Sequence, residues 1–175
     1  MSQERKGCLE AWVPRGLLTR EVDVLSARVT AEGLCPLRVC WQDGRLCSFE
    51  LIDADALTPK RLLLPRLAEP HAHLDKAFTW LEFPNLQGTY GGAMVANFKE
   101  RQSRTLIGVR QRAERSLKLA LRHGLRAMRS HVDSLGPATD SSWEALLDLQ
   151  RQWQEWMELQ WVALVPIEHW STREG

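Results

Sequence analysis

The sequence predicts an α/β fold: the opening of a (β/α)8 barrel, preceded by a β-rich segment. Three observations carry this. From Arg66 onward the order reads strand, long loop, helix, strand, helix, strand, which two consecutive βαβ units with a parallel sheet explain. The first of these strands closes on His-Ala-His, where an open nucleotide-binding sheet wants a glycine-rich phosphate turn. The segment before it holds an Asp-Gly pair between β-branched and aromatic runs, the strongest short hairpin signal. An open doubly wound sheet is the alternative architecture; the barrel is favoured.

Each element has its own grammar. "LEAWVPRGLL", from Leu9, reads as a strand that Pro14 confines to an edge or bulge. "LRVCWQDGRLCSFELI" reads as a hairpin turning at Asp43 and Gly44. That turn sets Cys40 opposite Cys47, where a disulfide is conceivable and two free, half-buried thiols are the better expectation in a reducing compartment. Cys8 and Cys35 complete the set, and no C-x-x-C pair suggests a structural zinc. "KRLLLPRLAEPHAH" splits at its prolines into a strand ending near Leu64 and another starting near Arg66.

After His73 the period is lost. "LDKAFTWLEFPNLQGTYGGAMVANFKE" is read as one long loop of the kind that serves as a lid or binding loop. "TLIGVRQRAERSLKLALRHG" then repeats Val109, Ala113, Leu117, Ala120 and Leu121 at helical steps, with Thr105 as N-cap and Gly124 just past the end. His123 reads as a capping or surface residue. "LRAMRSHVD" is a strand. Ser141 and Glu144 have capping-box spacing, and Leu146, Trp153, Trp156 and Met157 mark an apolar helix stripe. "LQWVALVP" supplies the last strand.

Composition bounds the function. A chain of 175 residues with 44% hydrophobic content, 26% charged residues and net charge +1 suggests neither disorder nor a nucleic-acid-binding domain. The Arg and Lys residues between Lys99 and Arg129 read as a solvated helix face before an RNA or phosphate patch. No apolar run reaches the ~18 residues of a membrane span, and "MSQERKGCLEAW" has no signal-peptide core, so a cytoplasmic protein is expected.

The chemistry rests on His71 and His73. Residues two apart on a strand point the same way, so the pair aims two imidazoles into one space at a strand's carboxyl end, where barrel enzymes keep their catalytic groups. Imidazole suits zinc or iron(II). Taken alone, H-x-H is a weak signal, and two surface or supporting histidines are its first reading.

Context changes that reading. "EPHAHLD" after a β-rich segment, then a helix ending in Gly and a strand closing on "RSHVD", resembles the amidohydrolase superfamily, most closely its cytosine deaminase-like branch. The resemblance runs from about residue 40 to 165. It implies residues 1–65 as the N-terminal part of a small β-sandwich domain, and 66–175 as the N-terminal part of a metal-dependent (β/α)8 barrel. It implies His71 and His73 as the first two ligands of one zinc or iron(II) ion, and hydrolytic deamination of a small nitrogen heterocycle by a metal-activated water. Asp75 is either a partner orienting His73 or a capping aspartate. Lys76 is not a bridging carbamylated lysine, which comes from a later strand in binuclear relatives.

Arg129, His131 and Asp133 share one strand face and read as a polar network near the site rather than as ligands. Cytosine deaminases place a substrate-binding glutamine after the proline of the third strand. Here Ile167 follows Pro166, so cytosine itself is in doubt, and Glu168 or His169 are the polar candidates for substrate contact. A full barrel takes ~250 residues, so the chain reads as a fragment truncated after about three barrel strands and inactive alone. The expected partner is a small heterocyclic substrate, with a homo-oligomer possible at full length. The alternatives are a hydrolase acting on another cyclic amidine or amide, and a non-catalytic interaction protein docking through its Trp-rich helix. An RNA-binding arginine helix is the weakest.

Overall fold

Asp43 and Gly44 both adopt positive φ, 49° and 79°, the backbone that a two-residue turn needs to match the twist of its flanking strands. They join β2 (Leu34–Gln42) to β3 (Arg45–Leu51), and β1 (Lys6–Pro14) pairs antiparallel with the other side of β2. The sheet order is β1-β2-β3, with Val13, Cys35, Leu37 and Val39 buried on one face. Pro14 sits at the end of an edge strand, as its missing N–H requires. The computed structural model describes residues 6–18, 29–52 and 59–173, and the chain divides into two units, Met1–Pro65 and Arg66–Gly175.

Two expectations for the first unit are corrected. The strand expected to end near Leu64 is a single bridge between Leu62 and Trp12. Pro65 offers no N–H with which a ladder could continue. The cysteines pair differently as well. A bulge between Cys40 and Trp41 shifts the ladder by one residue, so Cys40 faces Ser48 rather than Cys47. On its other side Cys40 faces Cys8, and these two form a disulfide, while Cys35 and Cys47 are free.

In the second unit β4 (Leu67–Ala72), β5 (Leu125–Asp133) and β6 (Glu158–Leu164) form a parallel sheet in sequential order. Between β4 and β5 run α1 (Tyr90–Ser103) and α2 (Leu106–Arg122), and α3 (Thr139–Trp153) joins β5 to β6. Val109, Ala113 and Leu117 of α2 and Ala145, Leu146 and Leu149 of α3 bury against Met128, Val132 and Leu159 of the sheet. Each of the Val, Leu and Met side chains withdrawn from water contributes roughly 1.5–3 kcal/mol.

The Thr105 hydroxyl caps α2 by accepting from the Gly108 amide at 3.1 Å. Gly124 closes the helix at φ 87°, and the His123 amide donates to terminal carbonyls. No described helix is long and apolar enough to cross a membrane.

Helix α1 corrects the long-loop expectation. Two glycines in its first turn and the absence of an apolar stripe hide it, for only Glu100 is buried along it. Its N-terminus is made by local contacts instead. The Thr89 hydroxyl accepts from the Gly92 amide at 3.0 Å, and Asn85 Nδ2 donates to the Thr89 carbonyl at 2.9 Å. A Cβ at Gly92 would lie 2.3 Å from Asn85 Oδ1, so glycine there admits the asparagine.

Helix α3 starts two residues before Ser141, and no capping box forms. The turn at Gly136, φ 99°, accepts from the Thr139 amide and sets the start earlier. The expected stripe holds at Leu146 and partly at Trp153. Met157 is buried beyond the helix end, and Trp156 is 58% exposed.

Candidate active site

His71 is the next-to-last residue of β4, and His73 follows its end. Their Nε2 atoms converge to 3.3 Å. His73 Nδ1 lies 3.0 Å from the carbonyl oxygen of His131 on the neighbouring strand. A carbonyl only accepts, so Nδ1 carries the proton and the Nε2 lone pair of His73 faces His71 Nε2. Burial, followed by the nearby Lys76 charge, holds the His73 imidazole below its usual pKa against the opposing His131 carbonyl and Asp75. The ring is therefore neutral near pH 7. The His131 ring stacks on His71, with centroids 4.1 Å apart.

Below the histidines lies a buried ionic knot that the sequence reading did not find. The Arg104 side chain is fully buried. It donates to Glu100, to Asp75 Oδ2 at 2.9 Å, to Asp133 Oδ2 at 3.3 Å and to Ser142 Oγ at 3.3 Å. Arg112 donates to the Asp75 carbonyl at 2.7 Å and to Glu100 Oε1 at 2.8 Å. Lys76 Nζ sits 2.9 Å from Asp133 Oδ1, with Arg101 at 3.3 Å from Oδ2.

Burial alone would raise the Asp133 pKa. The hydrogen bond and charge of Lys76, with Arg101 and Arg104, outweigh it and hold the carboxyl below its ordinary value. Burial likewise opposes the Arg104 charge, and the carboxylates of Glu100, Asp75 and Asp133 outweigh it. The Glu100-to-Arg104 spacing is the one sequence signal for this knot, and it fits a surface helix pair equally well.

The candidate residues therefore separate. His71, His73 and His131 come together. Asp75 does not touch the His73 ring; its carboxylate accepts from Arg104 and from the Asp133 amide at 3.1 Å, so it fixes the main chain after the histidines. Asp133 is spent on cations. Arg129 points elsewhere and donates to Gln160 Oε1 at 2.9 Å. Glu168 and His169 lie in a short turn, Ile167–Ser171, where the His169 ring contacts Trp170. The expectation that Arg and Lys between Lys99 and Arg129 form a solvated face fails at Arg104, and in part at Arg101 and Arg112, because carboxylates draw them inward.

Beside His73 opens a cleft of about 540 Å³, lined by Lys76, Trp80, Phe83, Tyr90 and Asn97 among others. Among the described residues no group of three His, Cys, Asp or Glu is gathered as a metal-binding set. Two imidazoles on one tetrahedral ion, each at about 2.0–2.1 Å, stand about 3.3–3.4 Å apart, which the His71–His73 separation fits. The pair thus suits a divalent ion as half of its ligand set.

Comparison with known proteins adds to this geometry. The chain is 35% identical over 108 residues to a pterin deaminase of Rhizobium rhizogenes, a match that covers 61% of this chain and 25% of that protein. Its fold is similar to that of a 5-methylcytosine deaminase from Klebsiella pneumoniae, with a TM-score of 0.68 and 23% identity over 90% of this chain and 36% of the other. An N-isopropylammelide isopropylaminohydrolase from Burkholderia multivorans follows, with a TM-score of 0.53 and 19% identity over 89% and 37% of the two chains. No family model matches. The resemblance to amidohydrolase deaminases is thus found in both sequence and fold, and the chain spans a quarter to about a third of the length of these relatives.

Proposed function

We propose that this chain, whose resemblance to amidohydrolase deaminases is carried by sequence and fold alike, is the N-terminal portion of a metal-dependent hydrolase that deaminates a small nitrogen heterocycle. Residues 1–65 belong to its β-sandwich domain, and 66–175 open its (β/α)8 barrel. The sequential, parallel order β4-β5-β6 fits the opening strands of a barrel, and equally one half of a doubly wound sheet, so the barrel rests on the resemblance and on the histidines at the strand end.

One observation carries the reading: two Nε2 atoms 3.3 Å apart at the carboxyl end of a parallel strand. His71 and His73 would hold the zinc or iron(II) ion, and such an ion supplies Lewis acidity that brings a water's pKa toward ~7. The chain's own residues prepare the site. The His131 carbonyl selects the His73 tautomer that leaves Nε2 unprotonated. Asp75, clamped by Arg104, pins the main chain that carries His73. The Leu74 amide donates to Ser130 Oγ at 2.9 Å and fixes the strand end.

Metal analysis of purified chain tests this. Titrated with zinc, the chain is expected to show one weak, saturable site, lost in His71→Ala and His73→Ala; equal binding in both variants sinks the reading. A catalytic zinc takes three protein ligands plus water, and this chain gathers two. The 175-residue polypeptide therefore releases no ammonia from pterin or cytosine by itself, and measured release overturns that part. A second reading, a non-catalytic interaction protein, draws on the exposure of Trp156; metal that binds and is lost with the histidines decides against it.

A further inference from the structure

We propose that the exposed face of α2 carries a site for the phosphate group of a small soluble molecule, built from Arg115, Lys118 and Arg122 beside the ring of Phe78. It stands independently of the hydrolase reading, since none of these residues lines the cleft beside His73.

Helical spacing gathers the charges. Residues 115, 118, 119 and 122 follow at three- and four-residue steps and so share one helix face. With Phe78 they line a shallow groove of about 280 Å³, and no Asp or Glu lines it. Lys118 Nζ reaches Glu114 Oε1 at 2.9 Å, while Arg115 and Arg122 have no carboxylate partner among the described residues. Three cations against one carboxylate leave a surplus of two positive charges. A phosphate ester carries about −1.5 to −2 near pH 7 and matches that surplus; a single carboxylate does not. The groove is smaller than the roughly 300–1,000 Å³ of sites that bury a whole drug-sized ligand, so it takes an anionic group and leaves the rest of the molecule outside.

Basic side chains toward the C-terminal end of a helix are ordinary, since they complement its dipole. Phe78 is what the dipole leaves unexplained. It holds φ 59°, a conformation that bulky residues rarely adopt and that collects at functional segments. Its side chain is half-exposed, and the Arg115 guanidinium lies over the ring, 4.2 Å from the centroid. A guanidinium meets a ring with its flat face and donates hydrogen bonds in its own plane. The ring therefore orients Arg115 and leaves its N–H groups to an incoming anion, which reduces the side-chain freedom lost on binding.

Isothermal titration calorimetry of the full 175-residue chain, at fixed ionic strength, tests this with inorganic pyrophosphate, acetate and a short single-stranded RNA. The chain is first stripped of metal, so that pyrophosphate meets no ion at the histidines. Saturable pyrophosphate binding is expected, with none of acetate. Arg115→Gln should weaken it roughly five- to tenfold, and Arg115→Lys should recover part of the loss, because an ammonium keeps the charge but not the fork. Phe78→Leu, at unchanged net charge, should weaken it roughly two- to fivefold. Arg45→Gln, which removes an exposed arginine of β3, should leave it unchanged. All three substituted side chains are exposed, so each variant keeps its core. No saturable pyrophosphate binding, an equal loss in Arg45→Gln and Arg115→Gln, or unchanged affinity in Phe78→Leu overturns the proposal. RNA that binds more tightly than pyrophosphate also overturns it, by making this face a nucleic-acid surface.

Discussion

Arg104 Nη1 and the backbone amide of Asp133 both donate to one oxygen, Oδ2 of Asp75, at 2.9 and 3.1 Å. A residue two positions after His73 is thereby tied to the end of the next strand and, through Arg104, to Glu100 on α1 and Ser142 on α3. The knot is fully withdrawn from solvent at Asp75 and at the Arg104 side chain. Its worth lies in the pairing of its charges, because a buried pair that loses one partner leaves an uncompensated charge, and Asp75 Oδ1 already lies buried in it without a hydrogen-bond partner.

Arg104→Met should therefore destabilise the unit 66–175 by about 3–5 kcal/mol. Arg104→Lys should recover only part of this, since an ammonium cannot reproduce a planar fork that serves several acceptors. Urea unfolding followed by far-UV circular dichroism measures both, and a loss below about 1 kcal/mol in Arg104→Met would show the knot to be dispensable.

Asp133 gives the knot a pH dependence. Its folded pKa is depressed by Lys76, Arg101 and Arg104 against the effect of burial. The sign follows from linkage: a carboxyl with a lowered folded pKa adds stability that is complete above its unfolded value, near 3.9, and is lost as pH falls through the folded value. Stability should thus decline below about pH 4–5, and Asp133→Asn should flatten that acid limb while lowering stability at pH 7. An unchanged acid limb in the variant would place the dependence elsewhere.

What the sequence made legible follows from how local each signal is. The Asp43-Gly44 hairpin, the Thr105 cap and the Gly124 stop depend on neighbours within a few residues, and all three stand in the structure. The convergence of His71 and His73 was legible from strand pleat, although His73 lies just past the strand end and its ring is held by the His131 carbonyl. Helix α1 was hidden because its first turn is built on Thr89 and Asn85 rather than on an apolar stripe. The bulge that moved Cys40 off Cys47 leaves no local mark. Arg104 was invisible for a different reason, since its partners Asp75, Asp133 and Ser142 lie about 30 to 40 residues away in sequence.

Gly124 stands at φ 87° directly after α2, where a Cβ meets no neighbouring side chain. The cost of substitution is therefore backbone alone. Gly124→Ala should destabilise by about 1–2 kcal/mol, and Gly124→Asn by less, since asparagine visits this region more readily. Thermal melts of the two variants check the order; a reversal would mean the turn is set by something other than φ.

The disulfide between Cys8 and Cys40 spans 32 residues of sequence. In the chain-entropy account a closed loop of that length contributes about 3–4 kcal/mol, by restricting the unfolded chain. Reduction, or Cys8→Ser with Cys40→Ser, should lower the stability of the first unit by that order and leave the second unit's unfolding unchanged, since its core of Val109, Leu117 and Leu146 is built without these cysteines. The same bond tests the expected cytoplasmic setting, because structural disulfides are rare where glutathione keeps thiols reduced. Alkylation of freshly lysed cells with a mass-shifting maleimide, followed by mass spectrometry, should find Cys8 and Cys40 both labelled if the chain resides in a reducing compartment. Protection of both, with Cys47 labelled as the exposed control, would overturn the cytoplasmic expectation and show the bond formed in the cell.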